Sequence, residues 1–185
     1  MSRLKKIKLG DVLDIKRGAS LSGEFYSTEG KYKRLTLGNF SYPQNGWKEN
    51  SSKDNIYYVG KFKNEFLLKK GDIITPLTEQ VRGLLGSTAI IPEDNTQSGD
   101  IGLIIPNEDL LDKTFAYYLT SSPTVKKQLD GKSQQTKIRH TSPNEIKDCV
   151  AYVPSLSIQK EIGKLLYSID KKIDNNNKIN DNLVA

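Results

Sequence analysis

The C-terminal part of the chain carries the longest regular pattern of apolar and polar positions. Residues 157–185 contain no proline, and Gly163 is their only glycine. Apolar residues recur there at the spacing of one helical face, in a heptad-like order that only Lys172 interrupts. The positions are Ile162, Ile169, Asn176 and Leu183 at a, Leu165 and Ile179 at d, and Leu166 and Ile173 at e. This pattern predicts an amphipathic helix about 43 Å long.

Such a helix needs something to cover its apolar stripe. It can fold back on its own domain, or it can pair with a helix of a second copy or of another subunit. Pairing is favoured, because the helix stands last in the sequence and few residues remain to cover it. Asn176 near the seam would select the register of the pair at some cost in stability. We therefore predict dimerisation through Ile162, Leu165, Leu166, Ile169, Ile173, Asn176, Ile179 and Leu183.

The first half of the chain has a different pattern. Short apolar or alternating segments, broken by Gly, Pro and Asn, run from residue 7 to about residue 105. They predict a curled β structure with strands at 13–16, 32–37, 56–59, 65–68, 73–75, 87–91 and 102–105. A further strand-like run at 149–153 precedes Pro154.

Helical signals lie between these two regions. One helical face is formed by Leu110, Leu111, Phe115, Tyr118 and Leu119. Ser122 and Pro123 are suited to the N-cap and first position of a second helix, which should end near Gly131. Ser142 and Glu145 have the spacing of a capping box, which predicts a short third helix. The predicted fold is α+β: a mixed, β-rich domain over residues 1–154, then a long helix over 155–185 that pairs as a coiled coil.

The charge of the chain is concentrated in its first part. The net charge is +6 and the isoelectric point is near 9.2. Residues 157–185 hold five lysines and four acidic residues, so nearly all of the positive excess lies before them. This favours a polyanion such as nucleic acid as partner, and a solvated lysine-rich surface is the alternative.

The sequence also indicates the compartment. Cys149 is the single cysteine, so an internal disulfide is impossible and a buried thiol is expected. No apolar run approaches the roughly 20 residues of a membrane span, and the N-terminus lacks the apolar block of a signal peptide. We expect a cytoplasmic protein without a membrane partner.

Three segments without acidic residues are the candidate DNA contacts. Lys and Arg fit phosphates, while Gln, Asn and Arg can read base edges. The segments are 15–23 with Lys16 and Arg17, 80–92 with Gln80 and Arg82, and 131–144 with Lys132, Gln134, Gln135, Lys137, Arg139 and His140. Arg34 and Asn39 complete the set. Base contacts are expected from Gln80, Arg82, Gln134 and Gln135, and the alternative is that these are ordinary exposed loops.

Catalytic motifs are missing from the sequence. It contains no phosphate-binding loop, no Gly-x-Gly-x-x-Gly after a strand and no adenine methyltransferase signature. His140 is the single histidine, so we expect neither catalytic nor metal-binding residues. Asp72, Glu79 and Glu93 could still meet in space, which leaves a metal-dependent nuclease as one alternative. A coiled-coil interaction protein that does not bind DNA is another.

Four sequence stretches together resemble a known family, the DNA-specificity (S) subunits of type I restriction-modification systems. Each stretch is weak alone, but their order and spacing are specific. They are KLGDVLDIKRG at 8–18, LKKGDII at 68–74 followed by Gly83 and Gly86, GKSQQTKI at 131–138, and VPSLSIQKEI at 153–162 leading into IDKKI at 169–173. The resemblance covers nearly the whole chain as one half of such a subunit, with one target-recognition domain and one spacer helix.

This resemblance implies a non-catalytic chain that recognises one half of a bipartite duplex DNA target. It implies long helices that pair antiparallel, and assembly with modification (methyltransferase) and restriction subunits. S-adenosylmethionine, ATP and magnesium would belong to those partner subunits. A complete subunit would carry a second recognition domain and helix, so we expect either a naturally half-sized subunit or an excised fragment.

Overall fold

The computed structural model describes residues 4–42, 44–50, 56–79, 83–132 and 139–184, with only the backbone for Lys132, Asp181 and Val184. Within these ranges the strands are β1 (Lys5–Lys8), β2 (Leu13–Arg17), β3 (Tyr26–Ser27), β4 (Tyr32–Arg34), β5 (Tyr57–Tyr58), β6 (Leu67–Leu68), β7 (Ile73–Pro76), β8 (Thr78–Glu79), β9 (Ala89–Ile90), β10 (Asn95–Thr96), β11 (Ile101–Pro106), β12 (Arg139–His140) and β13 (Val150–Val153). The helices are α1 (Lys113–Thr120), α2 (Pro123–Lys132), α3 (Pro143–Lys147) and α4 (Leu156–Val184). The predicted mixed, β-rich fold with a long C-terminal helix is confirmed.

An antiparallel sheet in the order β2-β11-β7-β9 forms the centre of the fold. Ile104 of β11 pairs with Ile15 of β2 on one side and with Ile73 of β7 on the other. These buried side chains share a hydrophobic core with residues of α1 and α2 such as Phe115 and Leu129. The alternating apolar pattern of β2 therefore fixes which face of the sheet meets the helices.

A second, smaller layer is made of short strands in the order β3-β5-β4-β10-β6. Its hydrophobic cluster includes Leu35, Leu68, Ile91 and Ile101. Two separate ladders complete the described strands: β1 pairs with β13, and β8 pairs with β12. The β8–β12 ladder lies at the start of acid-free segment 80–92 and within acid-free segment 131–144.

Some predicted strands are shorter in the structure. Residues 65–68 give a 3-10 turn at Asn64–Phe66 before β6, because the Phe66 N–H bonds back to the Lys63 carbonyl at 2.9 Å. Residues 87–91 give only β9, since the Ser87 N–H closes a turn on the Leu84 carbonyl. The sequence analysis missed β1, in which Ile7 is the one buried residue among three lysines.

The first turns of α4 pack against α1 of the same chain. Gln159 is only 2% exposed, and its side-chain oxygen accepts the Asp112 N–H at 3.0 Å. Three turns later the Tyr118 hydroxyl donates to Asp170 at 2.7 Å. Burial raises the pKa of Tyr118 and the bond to Asp170 raises it further, so the hydroxyl keeps its proton and remains a donor. The helix therefore folds back on its domain over residues 159–170, and every described side chain after Asp170 is exposed.

Gly163 lies at the closest approach of α4 to α1. A Cβ at this position would lie 3.0 Å from the Phe115 nitrogen and 3.1 Å from Asp112 Oδ1, whereas a Cβ at Gly131 in α2 would meet no atom of the described residues within 4 Å. Both glycines are helical, and alanine in a helix is favoured by about 0.5–1 kcal/mol. Gly131→Ala should therefore raise the free energy of unfolding, while Gly163→Ala should lower it. Urea denaturation of both variants checks this, and equal gains would mean that α4 does not pack closely on α1.

Candidate nucleic-acid interface

A polar groove of about 520 Å³ holds two of the predicted DNA-binding arginines. Arg17 reaches it from the end of β2, Arg34 from β4, and Asp100 from the turn before β11. The fully buried Gln97 fixes the backbone beneath it, because its amide group donates to the Lys16 carbonyl at 2.6 Å. A Cβ at Gly18 would lie 2.2 Å from the Ser98 carbonyl oxygen, so only glycine allows the chain to pass here. The groove wall is thus built into the fold.

The two arginines are held in different ways. The Arg17 Nε donates to the Gly99 carbonyl at 2.6 Å, and this exposed side chain keeps its terminal NH₂ groups at the groove. The Arg34 guanidinium lies over the Tyr26 ring, 3.9 Å from the ring centroid, which is a cation–π contact. Both contacts orient a guanidinium that lines the groove. The groove therefore suits an anionic ligand such as a phosphate.

A chain of hydrogen bonds links this groove to the β8–β12 ladder. The Thr78 hydroxyl donates to Asp100 at 3.1 Å, and its oxygen lies 3.1 Å from His140 Nδ1. Because the hydroxyl proton goes to Asp100, His140 Nδ1 must act as the donor to Thr78. His140 is exposed, so the edge of the ladder and the groove form one continuous polar surface.

The β8–β12 ladder connects two acid-free segments: β8 ends directly before segment 80–92, and β12 lies within segment 131–144. In its register Glu79 pairs with Arg139. The segment 80–82 leaves the ladder directly after Glu79, and the segment 133–138 enters it directly before Arg139. Among the predicted contacts, Gln80, Arg82, Gln134, Gln135 and Lys137 lie outside the described residues, as does the side chain of Lys132. Their roles stay predictions.

A buried ion pair joins the two strands of this ladder. Arg139 Nη1 lies 2.8 Å from Glu79 Oε1 and 2.8 Å from Asp130 Oδ1, and the Glu79 side chain is only 2% exposed. The other Glu79 oxygen accepts the N–H groups of Gly83 at 3.1 Å and Leu85 at 2.9 Å. The Glu79 carboxylate thus links the residues on either side of positions 80–82. Arg139 therefore pairs with the buried Glu79 and with the exposed Asp130, and its predicted DNA contact stays a prediction.

Asn39 also has a structural role in the fold, and its predicted DNA contact stays a prediction. It is 5% exposed, its side-chain oxygen accepts the Thr36 N–H at 2.9 Å, and its amide donates to the Lys48 carbonyl at 3.3 Å. Asparagine closes such turns as readily as it reads bases, and composition does not separate the two uses. Lys16, in contrast, is exposed beside Arg17 on β2.

Two lysines of α2 lie near the ladder and were missed by the sequence analysis. Lys126 and Lys127 line a second cavity together with Glu79 and Arg139. Their segment, 123–129, is free of acidic residues, which was the available signal. It was overlooked because the helical pattern alone accounted for these positions.

The predicted dimerisation face is divided between two environments. Ile162 packs against the core of its own domain, and Leu166 is half-buried. The remaining apolar residues are between 44% and 79% exposed, and Asn176 is exposed among them; they are Leu165, Ile169, Ile173, Ile179 and Leu183. Pairing through this exposed stripe stays a prediction.

The carboxylates suggested for a nuclease site are engaged separately. Asp72 accepts the Lys69 N–H at 2.8 Å, Glu79 pairs with Arg139, and Glu93 pairs with Lys33. The described residues contain no group of three His, Cys, Asp or Glu side chains that could hold a metal ion. They also contain no helix long and apolar enough to cross a bilayer.

The fold is similar to three solved structures of type I systems. The S subunit from M. genitalium matches with a TM-score of 0.68 and 19% identity, over 94% of this chain and 41% of that chain. The HsdS subunit from Thermoanaerobacter tengcongensis matches with a TM-score of 0.63 and 18% identity, over 92% and 38%. A chain from a structure titled as describing complex assembly and conformational transition of the type I R-M system gives 0.64 and 19%, over 92% and 39%. This chain thus spans about two fifths of the length of each.

The comparison with family models agrees with this similarity of fold. No curated protein is similar enough in sequence to count as a match. The family model described as type I restriction modification DNA specificity domain matches residues 1–185. The chain therefore belongs to the type I restriction modification DNA specificity domain family.

Proposed function

We propose that this chain recognises one half of a bipartite duplex DNA target for a type I restriction-modification enzyme. The β8–β12 ladder carries this proposal, because it joins the start of segment 80–92 to the middle of segment 131–144 beside a groove that presents Arg17 and Arg34. Membership in a DNA specificity family supports it. The role is recognition and not catalysis, and a methyltransferase partner would supply the chemistry.

Within this proposal the residues have two kinds of task. Residues 1–154 form the recognition domain, and 155–185 form the spacer helix. Phosphate contacts position the domain on the duplex, and base contacts provide specificity. We assign phosphate contacts to Lys16, Arg17, Arg34, Lys132 and Lys137, and base contacts to Gln80, Arg82, Gln134 and Gln135, with His140 beside them.

The exposed stripe of α4 supplies the proposed assembly surface. A second helix lying antiparallel on it, from a second copy or from another half-subunit, would hold two recognition domains apart. Modification and restriction subunits are the further partners that we propose, which would place the protein in the cytoplasm with the DNA. S-adenosylmethionine, ATP and magnesium would be bound by those subunits.

Replacing Lys16 and Arg17 with glutamine should weaken binding to duplex DNA at every sequence. Each lost phosphate contact should make the negative slope of log affinity against log salt shallower by about 0.9. The double variant Lys132→Gln with Lys137→Gln should have a similar effect, and Arg139 is left intact because it holds Glu79. Fluorescence anisotropy of a labelled duplex over a series of salt concentrations measures these slopes.

The matched control removes two exposed lysines of α4, Lys160→Gln with Lys164→Gln, and should keep the wild-type slope. An unchanged slope after the Lys16 and Arg17 replacements would exclude the groove as a backbone contact. If the wild-type chain shows no salt-dependent DNA binding, the coiled-coil interaction protein becomes the better interpretation.

A further inference from the structure

A second cavity is lined by residues that flank the two candidate recognition segments, which are residues 80–82 and 133–138. Its volume is about 450 Å³. Glu79 and Gly83, the described residues on either side of segment 80–82, line it, and so does Arg139, which follows segment 133–138. Lys126 and Lys127 of α2 close one side, and Tyr42 contributes as well. Any ligand in this cavity would therefore lie beside residues that flank both segments.

The charges in this cavity do not cancel. Glu79 and Asp130 are its carboxylates among the described residues, and both lie 2.8 Å from the same Arg139 nitrogen. Lys126 and Lys127 line the same space, and no described carboxylate forms an ion pair with Lys126. The cavity thus has an excess of positive charge on the α2 side.

Lys126 is held in place although its charge is poorly compensated. The side chain is half-buried, and its Nζ donates to the Ser87 hydroxyl at 3.2 Å. Its stem passes Gly86, where a Cβ would lie 3.1 Å from Lys126 Cγ and where φ is +77°. Burial lowers the pKa of Lys126, because the charged form loses water. A neutral hydroxyl replaces little of that hydration, so an anion at this point would stabilise the lysine.

We propose that this cavity binds a backbone phosphate of duplex DNA, with Lys126 as the main ligand and Lys127 at the rim. The proposal rests on the proposed function, since it names a phosphate site for that same DNA. A phosphate here would anchor the duplex against the β8–β12 ladder. A free phosphate ion offers the same chemistry, and the experiment separates the two sources.

The test compares Lys126→Met and Lys126→Arg with Lys164→Met as the control, all in the full chain. Methionine keeps the packed stem and removes the charge, so Lys126→Met should have a melting temperature no lower than that of the wild type. Its negative slope of log affinity against log salt for a duplex of arbitrary sequence should nevertheless become shallower by about 0.9. Lys126→Arg should keep the wild-type slope, because it retains a cation that binds phosphate.

Each possible result either supports or contradicts the proposed phosphate site. If Lys126→Met keeps the wild-type slope while the Lys16 and Arg17 replacements make it shallower, the phosphate site is overturned and the proposed function stands. If the wild type does not bind duplex DNA, both fail. Inorganic phosphate is the second probe: if it raises the melting temperature of the wild type and not of Lys126→Met, while the DNA slopes of the two are equal, the cavity takes a free ion and the proposal is wrong.

Discussion

Replacing Arg139 with methionine should lower the free energy of unfolding by about 3–5 kcal/mol. The reason is the position of Glu79, whose side chain is 2% exposed and whose charge is matched by Arg139 at 2.8 Å. Without the arginine, a buried carboxylate would have no cation beside it, and Asp130 would lose the same partner. Urea denaturation gives the value directly. The same variant should lose sequence-specific DNA binding, since the ladder that supports both recognition segments would loosen.

A double-mutant cycle separates this ion pair from general packing. Glu79→Gln should also destabilise the domain, but a glutamine oxygen can still accept the N–H groups of Gly83 and Leu85. The double variant, Glu79→Gln with Arg139→Met, should therefore lose less stability than the sum of the two single changes. Arg17→Met is the control, because Arg17 is exposed and makes no buried ion pair in the described structure. If Arg139→Met costs no more than Arg17→Met, the ion pair does not stabilise the ladder.

The parts of the fold that local patterns control could be predicted from the sequence. Alternation of apolar residues located β2, a short apolar run located β11, and the Ser142–Glu145 capping box located α3, where both reciprocal hydrogen bonds form. Strand β1 could not be found in this way. It is stabilised by pairing with β13, where Lys5 lies opposite Val153, and a contact between such distant positions leaves no local signal.

The docking of α4 shows a second limit. The heptad pattern pointed to the apolar stripe, but the face that packs on α1 uses Gln159, Gly163 and Asp170. A glutamine that bonds backbone groups and a glycine that permits close approach do not register in a pattern of apolar positions. The first predicted alternative therefore holds for the first turns, which fold back on the domain, while pairing of the exposed remainder stays a prediction.

Composition predicted the candidate site, and the ion pairs of the fold show which of its residues have structural partners. Segments without acidic residues drew attention to the β8–β12 region and to the end of β2. Composition could not reveal that Glu79, 60 positions before Arg139, neutralises that arginine in the fold. For the same reason Lys126 was missed, since only the packing of α2 against Gly86 places it in a cavity.

The exposed part of α4 should set the distance between the two half-sites. In a closed two-fold pair, identical stripes face each other and the recognition domains point to opposite ends, so the target should be an interrupted palindrome. Among the described residues, Asp170 makes the last hydrogen bond between α4 and α1. An insertion after Asp174 therefore lengthens the free part of the helix and leaves the docked turns unchanged. Seven residues add about 10.5 Å, and a heptad keeps the stripe in phase to within about 20°.

The insertion of one heptad after Asp174 should lengthen the spacer of the target by about three base pairs, at about 3.4 Å per base pair, while both half-sites stay the same. Sequencing of methylated sites in cells that carry the variant and a modification subunit measures both quantities. A four-residue insertion is the control: it rotates the stripe by about 40° and should weaken pairing, so methylation should fall without a new defined spacer. An unchanged spacer after the heptad insertion would rule out a helix that acts as a ruler. Methylation at an asymmetric site by this chain and the modification subunit alone would rule out the two-fold pair, because identical domains must read identical half-sites.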